Sequence, residues 1–425
     1  MIKKFSQLLK GSVLVKSSLI VLIGSVFSNL ASYLYHLSMG RLLGPSNYGV
    51  LESLISILYF LGIPIGILNL VVVKFVSQEN SDKEKISFFV KKVSRSAFRY
   101  GLLVLLLFLL AFPFLRNLVK INSFILFLGL GISWYLGIFS SVFSSVLQGI
   151  LKFFEYSVYT IFLNWSKLIF AVVLVLLGLK VEGAILGVVL STLATLLFGY
   201  FLLKKFIPVG LSGNINMKDS FVNVGSYAGA VFFSNLSLMS FFTVDIILAR
   251  YFLSPIAAGQ YASLSVLGKI IFFASSPIVS VMFPTISERK ANGGNYQKLL
   301  WFSFFLVLAI SSFISLIYFL FPSLMVKTLF GIGYLEAASN LGLFAIFISL
   351  YSLCSLLMYF FLSINKTKII YLGVVFAVLQ IVLINFYHQN IQQIVLMNII
   401  VLSFFLTGLL VYYFNPFKKP ANFNK

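Results

Sequence analysis

Twelve apolar stretches, each about twenty residues or longer, leave this chain few ways to fold. A helix needs about 20 residues to cross hydrocarbon. In lipid the backbone must satisfy its own hydrogen bonds, so such stretches become helices. They run over 15–38, 48–75, 99–118, 123–147, 157–179, 183–203, 224–249, 258–285, 299–321, 339–362, 369–387 and 393–414. Hydrophobic residues make up 60% of the chain and charged residues 10%. A soluble domain is about half apolar and a quarter charged, so this chain cannot cover a water-facing surface. No connection is long enough for a soluble domain, so the net charge of +21 does not point to nucleic acid. Cys354 is the only cysteine and lies in an apolar run, which excludes a disulfide scaffold. The first span is too long for a signal-peptide core, and eleven more follow, so no cleavage is expected.

The basic residues set the orientation. With the N-terminus inside, 23 Lys and Arg fall in inner segments and 6 in outer ones. Such a bias places both termini in the cytoplasm of a cell (inner) membrane. Two inner segments are also amphipathic. In 76–98, Ile86, Phe89, Val90 and Val93 oppose Lys85, Lys91, Lys92 and Arg95. In 1–12, Ile2, Phe5, Leu8 and Leu9 oppose Lys3, Lys4 and Lys10. Both patterns predict helices lying on an anionic membrane face.

The chain also repeats itself. His36-x4-Arg41 recurs as Asp245-x4-Arg250, an offset of 209 residues. After a loop four residues longer, Tyr48 matches Tyr261 and Pro64-Ile65 matches Pro277-Ile278, at an offset of 213. The division predicted is a six-helix lobe over 1–207 and a second over 208–425. Six spans per half start both halves on one side, so the repeats run parallel. In transporters of that kind the substrate path lies between the halves. The expected fold is therefore all-α and polytopic, with twelve transmembrane helices in two pseudo-symmetric lobes around a central cavity.

Seven segments carry a resemblance to a known family. They are GRLLGPSNYGVL (Gly40–Leu51), LQGILKFFEYS (Leu147–Ser157), LGLKVEGAILG (Leu177–Gly187) and DIILARYFLSPIAAGQYA (Asp245–Ala262), followed by FPTISER (Phe283–Arg289), LFGIGYLEAASNLGLF (Leu329–Phe344) and LSINKTK (Leu362–Lys368). In this order and at these topological places, the chain resembles oligosaccharide flippases of the polysaccharide-biosynthesis type. These belong to the multidrug/oligosaccharidyl-lipid/polysaccharide exporter superfamily. The resemblance implies that a lipid-pyrophosphate-linked oligosaccharide crosses from the inner to the outer leaflet. It implies a monomer among membrane lipids, with a polysaccharide polymerase or glycosyltransferases as partners. No cofactor is implied.

Nothing in the sequence contradicts transport without chemistry. No G-x-x-x-x-G-K-[ST] motif occurs, so no ATP hydrolysis is expected. His36 and His388 are far apart, and no carboxylate pair has metal-ligand spacing. Two alternatives were weighed. A polymerase or ligase would need a large outer loop with catalytic residues. The longest one here, 322–338, holds one Lys and one Glu. A cation-coupled multidrug exporter of the same superfamily would need acidic lumen residues, and this chain has few.

Charges inside spans are costly and mark candidate sites. Lys269, Lys167, Arg250 and Arg41 are the candidate cations for a lipid diphosphate. For Lys167, pairing within its lobe competes with that role; for Arg41 and Arg250, interface anchoring competes. Glu52, Asp245 and His36 are the candidates for ion coupling or gating, His36 because its ordinary pKa suits a pH switch. For His36, a polar helix end is the competing reading. Serines and asparagines including Ser28, Asn29, Ser32, Ser234, Asn235, Ser237 and Ser240 either line the cavity or pack helices. Finally, the polar stripes Glu52-Ser56-Tyr59 and Ser265-Lys269-Ser276-Ser280 predict that Glu52 and Lys269 face one another across the cavity.

Overall fold

The computed structural model describes residues 13–78, 82–207 and 225–414. The 1–12 segment, with its predicted surface helix, lies outside them. Every regular element among the described residues is helical. Among the described residues, ten helices are long and apolar enough to cross a membrane. The chain divides into two compact units, Met1–Gly225 and Ser226–Lys425.

Unit 1 holds α1 (Val13–Gln78), α2 (Lys83–Leu110), α3 (Phe112–Val119), α4 (Phe124–Gly149), α5 (Phe153–Leu174) and α6 (Lys180–Lys204). A straight α1 of 66 residues would be about 99 Å long, three times the hydrocarbon thickness. It breaks at Gly44, which adopts φ 71° and ψ 171° before Pro45. Only glycine reaches that conformation cheaply. Sixteen residues of straight helix would hold His36 and Glu52 about 24 Å apart. Their side chains meet at 2.5 Å, so the chain reverses at the break. A second reversal joins α5 to α6. There Val175–Leu179 widens into a π-type turn with Gly178 at φ 94°. The two helices then pack so closely that a Cβ on Gly187 would lie 2.6 Å from the Ala171 backbone.

The predicted amphipathic surface helix is corrected here. Residues 83–98 are the first turns of the long helix α2, continuous with the apolar stretch that ends at Leu110. Ile86 and Phe89 are buried, and Phe89 stacks on Phe75 with ring centroids 3.8 Å apart. Val72, Val76, Val142 and Val146 complete this core. The apolar face thus packs on residues of α1 and α4 within unit 1.

Unit 2 holds α7 (Gly225–Phe252), α8 (Pro255–Ala291), α9 (Gln297–Leu320), α10 (Pro322–Leu329), a 3-10 segment Ile332–Asn340, α11 (Leu341–Ser363), a 3-10 turn Thr367–Ile369, α12 (Ile370–Phe386) and α13 (Ile391–Phe414). The connection 322–338 is therefore short helix and 3-10 turn, not open loop. Helix α11 is buried along almost its whole length, including Cys354. Elsewhere large apolar side chains stay exposed, such as Phe302, Phe305, Phe313 and Leu316 on α9. In a membrane chain such faces meet lipid.

The units share devices as well as spacing. A Phe-Pro pair opens each short helix, Phe112-Pro113 at the start of α3 and Phe321-Pro322 at the start of α10. A positive-φ residue follows each, Lys120 at 51° and Gly331 at 99°. Helices α4 and α11 end alike, with Leu151 at φ 60° and Asn365 at φ 55°. The N–H of Lys152 reaches Leu147 O at 2.9 Å, and that of Lys366 reaches Phe361 O at 2.9 Å. Both are the capping pattern of a left-handed helix end.

Candidate functional site

Each unit carries a buried polar cluster at the matching place. In unit 1 the reversal of α1 brings His36 to Glu52, with Nδ1 and Oε1 2.5 Å apart. Glu52 is 1% exposed. Tyr48 hydroxyl lies 3.5 Å from the same His36 nitrogen. Tyr35 sets its ring edge-on to His36, centroids 5.4 Å apart. Lys167 arrives from α5, partly buried. Its Nζ donates to Ser32 Oγ at 3.4 Å and lies 4.9 Å from the Tyr35 ring centre. The Glu52 charge acts on it through the interior. Below it, Asn164 Nδ2 donates to Ser28 Oγ at 2.7 Å. A carboxylate, an imidazole and an ammonium thus share one low-dielectric pocket, where charge interactions are strong.

In unit 2 the pair equivalent to His36 and Tyr48 is Asp245 and Tyr261. Tyr261 hydroxyl donates to Asp245 Oδ2 at 2.6 Å. Behind Tyr261 runs a chain of donors pointing one way. Ser240 Oγ donates to Gln380 Oε1 at 3.4 Å, and Gln380 Nε2 to Asn398 Oδ1 at 2.8 Å. Asn398 Nδ2 then donates to Tyr261 hydroxyl at 3.2 Å. All five residues are buried. Each bond polarises the next, so the chain delivers its positive ends to the Asp245 carboxylate. Lys269 is buried in the same unit, its Nζ 4.3 Å from the Phe242 ring centre. The Lys269 and Asp245 charges also act on each other.

The sequence-predicted residues are therefore sorted by unit. Glu52, His36 and Lys167 come together in unit 1; Asp245 and Lys269 share unit 2. Arg41 is exposed, whereas its repeat equivalent Arg250 is 7% exposed. Of the expected Glu52–Lys269 pair, Glu52 bonds His36 and Lys269 covers Phe242, each within its own unit. Of the serines and asparagines, Ser28, Ser32 and Ser240 join the clusters. Ser237 instead bonds back to Phe233 O on its own helix. The sequence reading missed Gln380 and Asn398. Their signal was present: each is an amide well inside an apolar span, and amides are expensive in hydrocarbon unless bonded.

An uncharacterized membrane protein of Methanocaldococcus jannaschii is 23% identical over 297 residues, covering 65% of this chain and 68% of that protein. A lipid II flippase MurJ, in an inward closed conformation, superposes with a TM-score of 0.73 at 15% identity. The match covers 93% of this chain and 87% of that one. An inward-facing multidrug resistance MATE transporter of the MOP superfamily gives a TM-score of 0.69 at 17% identity, covering 90% and 94%. At these identities the structures establish a shared fold. Residues 14–290 match the family model described as polysaccharide biosynthesis protein, more than half the sequence, and the chain belongs to that family of multi-pass membrane transport proteins.

Proposed function

We propose that this protein is a flippase that moves a lipid-pyrophosphate-linked oligosaccharide from the inner to the outer leaflet, by ion-coupled alternating access. One observation carries the reading: each unit of a polysaccharide-biosynthesis family member sets a lysine beside aromatic rings within its spans, Lys167 on Tyr35 and Lys269 on Phe242. A diphosphate in a low-dielectric passage needs such cations, and Arg41 and Arg250 extend the set outward. The carboxylates Glu52 and Asp245, each hydrogen-bonded inside its unit, supply the groups whose occupancy an ion or proton would change, with His36 as partner. Counting the helices broken at Gly44 and Gly178 as two each takes the ten long helices to twelve spans. The positive-inside pattern supports cytoplasmic termini, and lobes over 1–207 and 208–425 fit the repeat.

Deletion of the gene tests the reading. Lipid-linked units should accumulate on the inner leaflet while surface polysaccharide is lost. Unchanged polysaccharide in a strain without a second flippase would overturn it. Reconstituted flipping should respond to a proton or sodium gradient, and insensitivity to both removes the coupling. Charge reversal sharpens the roles: Glu52→Lys and Lys269→Glu should each abolish flipping in inserted protein.

A further inference from the structure

Unit 2 holds a cleft whose lining includes none of the residues of its buried cluster. Its volume is about 460 Å³, and Phe252, Asn340, Gln389, Asn390, Ile391 and Gln392 contribute to its lining. Small-molecule sites start at about 300 Å³, so this cleft can take a ligand. It lies where α7 ends and where α8 and α13 begin. Under the positive-inside orientation that end is the outer one.

No Asp, Glu, Lys or Arg lines the cleft. The helix starts beside it are already capped. Ser254 Oγ accepts from the Ala257 N–H at 3.3 Å, and Asn390 Oδ1 accepts from the Gln393 N–H at 2.9 Å. Gln393 Oε1 returns the bond to the Gln389 N–H at 2.9 Å. Those N–H groups are therefore not offered to an anion. What remains is neutral. The side-chain amides of Asn340, Gln389 and Gln392 have no hydrogen-bond partner among the described residues. Each presents a donor and an acceptor side by side. Phe252, Leu253, Ala257 and Ile391 supply the apolar part of the lining. His388 stacks on Phe252, centroids 3.7 Å apart at 18°, which fixes that ring.

Side-chain amides and a fixed aromatic ring in one uncharged cleft suit a ligand that carries both hydroxyls and C–H surface. We propose that this cleft is a binding site for a neutral saccharide. This rests on the flippase reading: the cleft would hold the sugar end of the cargo as it reaches the outer face. The lipid diphosphate would be handled elsewhere, by the lysines.

Saturation-transfer NMR on the full chain in nanodiscs tests this with four probes. Maltose and N,N′-diacetylchitobiose are the neutral sugars; glucuronate and inorganic phosphate are the charged comparators. The neutral disaccharides should bind and the comparators should not. Gln389→Ala with Gln392→Ala should weaken binding about tenfold, since two amide hydrogen-bond sites are lost. Asn340→Ala alone should also weaken it, which keeps the test open if the double variant does not insert. Phe302→Ala, on the exposed face of α9, should leave sugar binding unchanged. Absent binding of both disaccharides, equal binding by the variants, or preferential phosphate binding would each overturn the proposal. The two readings fail separately. Sugar binding with unchanged polysaccharide in the deletion strain removes the flippase and keeps the site. Accumulated lipid-linked units without sugar binding do the reverse.

Discussion

Tyr261 is the residue on which the second cluster turns. It accepts from Asn398 and donates to Asp245, so it links an amide chain to a carboxylate. Tyr261→Phe keeps the ring and removes the hydroxyl. A hydrogen bond to a charged group contributes about 1.5–3 kcal/mol, so the variant should lose about 2 kcal/mol of stability, read as an earlier thermal transition in detergent. Asp245→Asn on the same background should recover part of the loss, because no buried charge is then left short of a donor. Equal transitions for wild type and Tyr261→Phe would show that the bond carries no net stability. At this scale the sequence was half legible. Charged residues in apolar spans announced themselves, and the repeat matched Tyr48 with Tyr261. The amides Gln380 and Asn398 went unread because neutral polar residues in bundles more often serve helix packing. What distinguishes these two is that they meet one another across α12 and α13, a long-range fact that no local pattern contains.

At the scale of the element, the helix breaks are the decisive features, and they yield three expectations. At Gly44 a Cβ would meet nothing within 4 Å, so Gly44→Ala tests backbone strain alone. The cost should be about 1–3 kcal/mol. Gly187→Val should be worse, because its first carbon would collide with the Ala171 backbone and neither helix can yield without opening the α5–α6 hairpin. Loss of folded protein on size exclusion is the expected readout. Leu151 runs the other way: it is 59% exposed and adopts φ 60°. Leu151→Gly should stabilise by about 1 kcal/mol, since the left-handed conformation strains a residue with a side chain. Asp82 adds a pH-dependent element end. Its carboxylate accepts from the Lys85 N–H at 3.0 Å, which holds its pKa below the ordinary value. A depressed carboxylate stabilises above its unfolded pKa and stops doing so as pH falls through the folded one. The protection of the Lys85 amide, its exchange rate relative to an unbonded amide at the same pH, should therefore fall as pH drops through the folded pKa, and Asp82→Ala should abolish that dependence. The apolar stretches were legible as helices because length and hydropathy suffice in lipid. The fate of 83–98 was not. An amphipathic face shows what it must bury, not whether lipid or α1 and α4 will cover it.

For the whole molecule, the duplication was readable from two short motifs because both sit at helix reversals, where few residues can replace Gly, Pro or a hydrogen-bonding side chain. The structure adds recurrences that composition hides, the Phe-Pro elbows and the left-handed ends at Leu151 and Asn365. The charges did not stay symmetric. Unit 1 keeps its carboxylate on the second arm of the hairpin, at Glu52, and unit 2 on the first, at Asp245. Substitutions at equivalent positions should therefore not have equivalent effects: Glu52→Gln and Ser265→Ala should differ in transport, although the repeat aligns them. Orientation is open to direct measurement, with thiols introduced at Lys91 and Lys425 expected to react only with reagents that reach the cytoplasm. For that measurement the burial of Cys354 has a practical consequence. The only native thiol of the sequence is wholly enclosed in α11, and its pocket is shared with Leu402 of α13. The wild-type protein should stay dark to maleimides while folded. Any label would then report the introduced position alone, and a signal from the unmodified chain would time the opening of unit 2 itself.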